Sequence, residues 1–371
     1  MIAGGVVDEA SGAGRVAVGV AAGAAIGMIF TAFHRWDARF WIRALVEAGA
    51  IGAILVGFGL WAIGVEFGTG GGTEIPKQSA PDPETRRALA QQFTPVLRLS
   101  RSPRELFVPI GRPAYVALTQ LEIRTGNVDR LKPGHPTIES LPTGGCTEIP
   151  GCFYILDVVG AEPRPPAQSA LAYHALQEQA LNHGAMRLVY DHVSRYDKTG
   201  DYAVQYWFLY FFNYRLNEHE SDWEQITIHL DPDKRPVNAY YSAHVCGHIR
   251  DWNKVEKVPA DSDHPVDHVA NGSHANYFKS GQHKVALKKR KLGGNRTLCT
   301  FERLIKDVAN GRATEDLRLG RDYELRELTG PVFSGSYGSG NYVFGKRKPD
   351  LLTDPRKRRE WKHPLEQLLK P

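Results

Sequence analysis

The stretch 217–224, Asn-Glu-His-Glu-Ser-Asp-Trp-Glu, concentrates the side chains most able to do chemistry in this chain. Apolar runs flank it: 203–212, Ala-Val-Gln-Tyr-Trp-Phe-Leu-Tyr-Phe-Phe, and 225–230, Gln-Ile-Thr-Ile-His-Leu. Both runs are short, aromatic and β-branched, and both are predicted to be strands. Side chains alternate along a strand, so Asp222 and Glu224 share a face with Ile226, Ile228 and Leu230. If that face is buried, two carboxylates lie side by side at the edge of a core. Like charges that close cannot both ionise without a partner. A divalent cation is one such partner, and His219 is spaced to supply a third ligand from the turn. The alternative is an exposed acidic turn from Glu218 to Glu224 in which only Trp223 is buried.

Histidines gather again downstream, in 240–244 (Tyr-Tyr-Ser-Ala-His) and around 264–277, which holds His264, His268 and His274. Imidazole is the commonest transition-metal ligand. His244 sits near a predicted strand end, and His274 follows the turn signal Asn271-Gly272-Ser273. Convergence of His219, His244 and His274 on Asp222 and Glu224 would make a mixed nitrogen and oxygen donor set. Calcium, magnesium, manganese and zinc all stay open. His244, His274 and Ser273 would complete the site or touch its ligand, with Tyr206 and Trp223 packed behind. Taken singly, each histidine is more simply a core or surface residue. With an open coordination position the same cluster would suit a metal-assisted hydrolase, with His274 or His244 as general base. With no metal, His274 and Asp222 would be a structural cross-brace. No Gly-x-Ser-x-Gly nucleophile motif and no phosphate-binding glycine loop is present.

Positioning these groups needs a sizeable core, and 371 residues with 42% hydrophobic content are enough to form one. Short strand-like runs separated by turn residues predict a mainly β domain, an antiparallel β-sandwich with a few short helices. The runs include 93–99, 106–110, 152–159, 186–196, 202–214, 223–230, 237–245 and 266–270. Helices are predicted at 84–92, 167–182 and 301–310. A net charge of +5 is too mild to imply nucleic acid, and no nucleic-acid partner is expected. The basic run 284–291 and the basic tail 346–362 are read as solvated, with phosphate or anionic lipid contact as the alternative.

The N-terminal region, 1–67, differs from the rest. Segments 16–33 and 48–65 carry no charged residue and repeat small residues, among them Gly19, Ala22, Gly23, Gly49, Gly52 and Gly57. Their length and packing pattern predict two transmembrane helices in a hairpin. The connector carries Arg35, Arg39 and Arg43 against Asp37 alone, which places it in the cytoplasm and the rest of the protein outside. A Gly- and Pro-rich linker, 68–83, leads to the predicted β domain, 84–371. In an oxidising compartment Cys146 and Cys152 would form a small disulfide loop, while spacing leaves the pairing of Cys246 and Cys299 open.

Several motifs in order resemble the vacuolar protein sorting-associated protein sixty-two family and its bacterial relatives. They are Tyr206-Trp207-Phe208, Ser221-Asp222-Trp223-Glu224, 240–244, and His264-Pro265 through His274-Ala-Asn-Tyr277, with 93–98 similar to that family's first strand. The resemblance covers about 93–361 and implies no defined activity. More distantly, 218–224 is similar to the Gly-His-Arg-His-Asp-Trp-Glu heptapeptide of necrosis- and ethylene-inducing toxins. Those toxins hold a divalent cation on a β-sandwich at a membrane glycolipid. The similarity implies a cation at His219, Asp222 and Glu224, and a lipid headgroup or glycan as ligand. The chain departs from the heptapeptide at Glu218 and Ser221, which stand where the toxins have Gly and a second His.

Overall fold

The computed structural model describes residues 77–100, 106–125, 128–131, 134–160, 166–215, 218–244, 246–291, 297–309, 314–338 and 352–367. They belong to one compact unit, Ile75–Pro371. The unit opens with strand β1 (Gln78–Ser79), helix α1 (Pro83–Gln92), β2 (Val96–Ser100) and helix α2 (Arg112–Ala117). Strands β3 (Thr119–Thr125), β4 (Val128–Leu131) and β5 (Phe153–Val158) precede helix α3 (Pro166–Asn182). The centre holds β6 (Leu188–Tyr196), β7 (Tyr202–Asn213), β8 (His219–Leu230), β9 (Pro236–Tyr241) and β10 (His248–Asp251). Then follow β11 (Val266–Val269), β12 (Asn276–Tyr277), β13 (Gly281–Lys291), β14 (Thr297–Ala309), β15 (Thr314–Leu317), β16 (Glu324–Glu327) and the short helix α4 (Arg359–Lys362).

The unit is mainly β, with antiparallel sheets and few helices. The main sheet runs β1-β6-β7-β8-β9-β10, with β16 also on β6. A second sheet runs β12-β11-β2-β15 and a third β4-β3-β5. Two pairings are parallel, β11 with β2 and β16 with β6. Every residue of β7 is buried, which is why its sequence is a continuous aromatic and aliphatic run rather than an alternating one. One face meets α1, where the Tyr206 hydroxyl donates to the Ala90 carbonyl at 2.8 Å. The other meets α2, where Tyr115 sits edge-on to Phe211 at 5.3 Å and donates to the Tyr337 carbonyl at 2.7 Å. Each fully buried ring of this kind contributes on the order of 2–3 kcal/mol. The second sheet is tied to the first by the Tyr241 hydroxyl, which donates to the Val266 carbonyl at 3.1 Å.

Local chemistry sets the helix starts. Asp82 caps α1 by accepting from the Thr85 amide at 2.8 Å, with Pro at the first turn. Three predictions need correction. Residues 301–309, the described part of the predicted helix 301–310, lie in β14, in register with β13 from Ala286↔Phe301 to Gln282↔Val308, so the hairpin partner overrides local preference. Residues 106–110 belong to no strand, although the Ile110 amide donates to the Leu209 carbonyl at 2.8 Å. The expected strand 237–245 ends at Tyr241, where the chain turns and brings Ser242 to Glu224 but His244 to Asp307.

Cys146 and Cys152 form a disulfide, and Cys246 is disulfide-bonded as well. The predicted hairpin segments 16–33 and 48–65 lie outside the described residues. Among the described residues no helix is long and apolar enough to cross a membrane.

Candidate functional site

The β7–β8 ladder places Tyr210 opposite Asp222 and Phe208 opposite Glu224. Both carboxylates are buried, each residue 8% exposed. The main sheet supplies them; the loops and the second sheet supply what surrounds them. His274 Nδ1 lies 3.0 Å from Asp222 Oδ2, and Asn213 Nδ2 donates to the same oxygen at 3.1 Å. The His274 ring stacks on Tyr210 at 4.1 Å and 6°, with Phe107 edge-on at 6.1 Å. Imidazole and carboxylate are therefore held in register by aromatic packing.

A tight turn makes this possible. The His274 amide donates to the Ala270 carbonyl at 3.0 Å, and the Ala270 amide to the Ala275 carbonyl at 2.9 Å. Gly272 has φ 71°, and a Cβ there would stand 2.3 Å from the Tyr214 ring, so only glycine fits. His274, Ser221 and His244 have φ of 51°, 52° and 54°. They are three of the four non-glycine left-handed residues among the described residues. Such conformations persist where surrounding structure over-determines them, often at functional sites.

Glu224 is held from a different side. The Ser242 hydroxyl bonds to its Oε2, while accepting from the Gln225 amide at 2.9 Å and Asn276 Nδ2 at 3.0 Å. Burial pushes the Glu224 carboxyl well above its usual range, and the charges of Asp222 and Asp267 push the same way. The Ser242 bond and the Arg358 charge oppose this without cancelling it. Asp267 on β11 is fully buried, and burial raises it as well. The Tyr277 backbone amide opposes this, and among the described residues neither carboxylate oxygen has a hydrogen-bond partner of ordinary geometry. Arg358 donates to the Trp223 carbonyl at 3.1 Å and stands over the Trp207 ring, its charge reaching both carboxylates.

The predicted residues divide. His274 joins Asp222. His219 is buried, and its Nδ1 donates to the Ser221 carbonyl at 2.6 Å, which leaves the lone pair on Nε2. Burial lowers its pKa although the Asp222 charge acts the other way. His244 does not converge with this group: its Nε2 lies 2.5 Å from Asp307 Oδ2, which also accepts from the Tyr277 hydroxyl at 2.9 Å. Ser273 is buried beside His274, with no hydrogen bond to its hydroxyl. Trp223 faces away, against Tyr190 and Tyr337 at 5.9 and 5.8 Å. The Tyr206 hydroxyl is bonded to the Ala90 carbonyl, and in the ladder Tyr206 stands opposite Ile226, on the face that carries Glu224 and Asp222. Among the described residues, no group of three or more His, Cys, Asp or Glu is placed to hold a metal.

Sequence reasoning missed Asn213, Ser242, Asp267, Asn276 and Arg358. The odd carboxylate in the apolar run Val266-Asp267-His268-Val269 was the one local signal among them. A cavity of about 600 Å³ lies elsewhere, between α1 and β16, lined by Arg86, Arg87, Asp191, Arg326 and Glu327. Comparison with protein-family models, curated proteins and solved structures finds no match to this chain.

Proposed function

We propose that the unit is an antiparallel β-sandwich that holds a hard divalent cation at Asp222 and Glu224. The observation that carries this reading is the pairing itself. Two buried carboxylates stand on one face of β8, and a third, Asp267, adds to the negative charge around Glu224. Without a cation, burial favours the protonated forms of Glu224 and Asp267; a divalent ion would replace those protons. The donors fit only one class of ion. Two carboxylates with Ser242 beside them suit magnesium, calcium or manganese, which accept oxygen ligands and, for magnesium, keep several waters. Zinc, which takes a closed set of nitrogen and sulfur donors at structural sites, does not fit, because among the described residues no third histidine or cysteine is assembled here. Asp222 keeps 11% of its side chain exposed, which leaves a path for water. His274 and Asn213 would orient Asp222, and Ser242 would orient Glu224.

The ligand class follows as part of the proposal: an anionic lipid headgroup or a glycan, on a domain tethered outside the cytoplasm by segments 16–33 and 48–65. The Cys146–Cys152 disulfide supports an oxidising compartment. So does the resemblance of 218–224 to the toxin heptapeptide. Calorimetric titration of the purified protein with magnesium, calcium, manganese and zinc tests the cation. Saturable binding of one of the first three, absent in Asp222→Asn, is expected; zinc alone, or none, would overturn it.

A second reading is a metal-free brace, in which Asp222, His274 and Asn213 only join the sheets. It is favoured by the lack of a three-ligand cluster among the described residues.

A further inference from the structure

Three histidines, His244, His248 and His283, gather around Tyr277 and Asp307 where β13 and β14 join the rest of the unit. His283 of β13 stacks flat on the Tyr277 ring at 3.8 Å and 8°, and His248 of β10 stands against the same ring at 5.5 Å. The Tyr277 hydroxyl donates to Asp307 Oδ2 at 2.9 Å, the oxygen that His244 Nε2 also meets. In the β13–β14 ladder His283 lies directly opposite Asp307. One buried carboxylate therefore already serves a tyrosine and a histidine, while two further imidazoles flank that tyrosine. Many of the other neighbours are cations. Arg215 Nε lies 3.9 Å from Asp307 Oδ1, and Arg250, over the Phe278 ring at 4.8 Å, faces His248. His283 Nε2 donates to the Lys279 carbonyl at 2.9 Å, and Lys284 stands opposite Lys306. His268 of β11 also faces His283 and is itself bonded to Glu256 at 2.7 Å, and the Glu224 charge reaches Tyr277 from the main sheet.

This cluster fastens the segment that leads to the acid pair. Ala270 bridges Ala309, and the Asn271 amide donates to the Val308 carbonyl at 2.9 Å. The same short segment, 270–277, carries His274 to Asp222, Asn276 to Ser242 and Tyr277 to Asp307. We infer that His248 and His283 are a pH-sensitive latch: neutral, they pack on Tyr277 and hold segment 270–277 in place; protonated, they repel each other and the cations around them and release it. Histidine is the side chain whose charge changes in the range this needs. Burial holds both below the ordinary 6.5, and for His248 the His283 charge acts the same way. Their contribution is thus present above 6.5 and lost as pH falls through the folded values. Glu224 and Asp267, which burial raises, act in the opposite sense, so loosening in acid would not be theirs. The latch goes beyond the cation reading and does not depend on it.

The test is amide hydrogen exchange of the full chain, with chelator present, at about pH 7.5 and about pH 5.5, either side of the ordinary histidine value. Protection over 270–277 and 306–309, corrected for the intrinsic rate at each pH, is expected to fall several-fold in acid while β6 and β7 keep theirs. The variant H248F/H283F keeps a ring at both places against Tyr277 and takes up no proton there, so it should lose the difference between the two pH values. Unchanged protection in the parent overturns the inference, and so does a loss shared equally by β6 and β7. An equal loss in parent and double variant also overturns it, and would move the effect to His219, which burial holds low beside Asp222. Should the double variant not fold, the single variants H248F and H283F decide: each is expected to show a smaller difference than the parent, and a full difference in both overturns the latch.

Discussion

His274 and Asp222 meet across two sheets at 3.0 Å although 52 residues separate them in the chain. The contact depends on a left-handed residue on each side, Ser221 beside the carboxylate and His274 itself. Everything proposed for the site depends on this junction.

Removing the carboxylate would leave His274 and Asn213 without their acceptor in a buried setting. Asp222→Ala is expected to cost about 2–4 kcal/mol. Asp222→Asn keeps one acceptor oxygen and should cost markedly less. Urea denaturation measures both; Asp222→Ala within about 0.5 kcal/mol of the parent would show that the junction carries no strength.

How much of this was legible in the sequence depends on range. The β7–β8 hairpin was readable, because its aromatic run and the Ile226, Ile228, Leu230 alternation are local signals. So was α1, predicted at 84–92 and found at Pro83–Gln92. What sequence could not give was the company of the acid pair. Asp267, His274, Asn276 and Arg358 arrive from distant segments, and nothing local says that β12 lands on Ser242. His244 illustrates the same limit: as a histidine near a strand end it looked like a ligand of Asp222, yet the base of β14 offers it Asp307. Residues 301–310 read as a helix because the pairing with β13 that makes them a strand is not written in that segment alone.

Glu224 and Asp267 give a pH signature. Burial, and for Glu224 the Asp222 charge, raise their folded values above 4.5 and 3.8. Their contribution to stability is therefore fully present below those unfolded values and is lost as pH rises through the folded ones. Metal-free protein should lose stability on going from pH 4 towards neutrality, and Glu224→Gln or Asp267→Asn should flatten that decline. Chemical denaturation across pH, with chelator present, checks this. A decline of the same slope in both variants would mean that other groups cause it.

Asp307 behaves in the opposite sense. Burial acts to raise its pKa, but the hydrogen bonds from His244 and Tyr277 and the Arg215 charge outweigh it and hold it below 3.8. Its contribution is present above that value and lost as pH falls through the folded one. Asp307→Asn is expected to cost about 1–3 kcal/mol at neutral pH, and the difference from the parent should shrink in acid. A cost that stays constant with pH would show that packing, not charge, is what Asp307 supplies.

The most direct test of the cation reading is metal content. Purified protein, together with Asp222→Ala and Glu224→Ala, would be analysed for bound elements and melted with and without chelator. The account predicts near-stoichiometric magnesium, calcium or manganese in the parent and its loss in both variants. It also predicts a lower melting temperature for the parent alone after chelation. A parent free of metal, unmoved by chelator, with both variants merely destabilised, would contradict it and leave the Asp222–His274 junction as a brace between sheets.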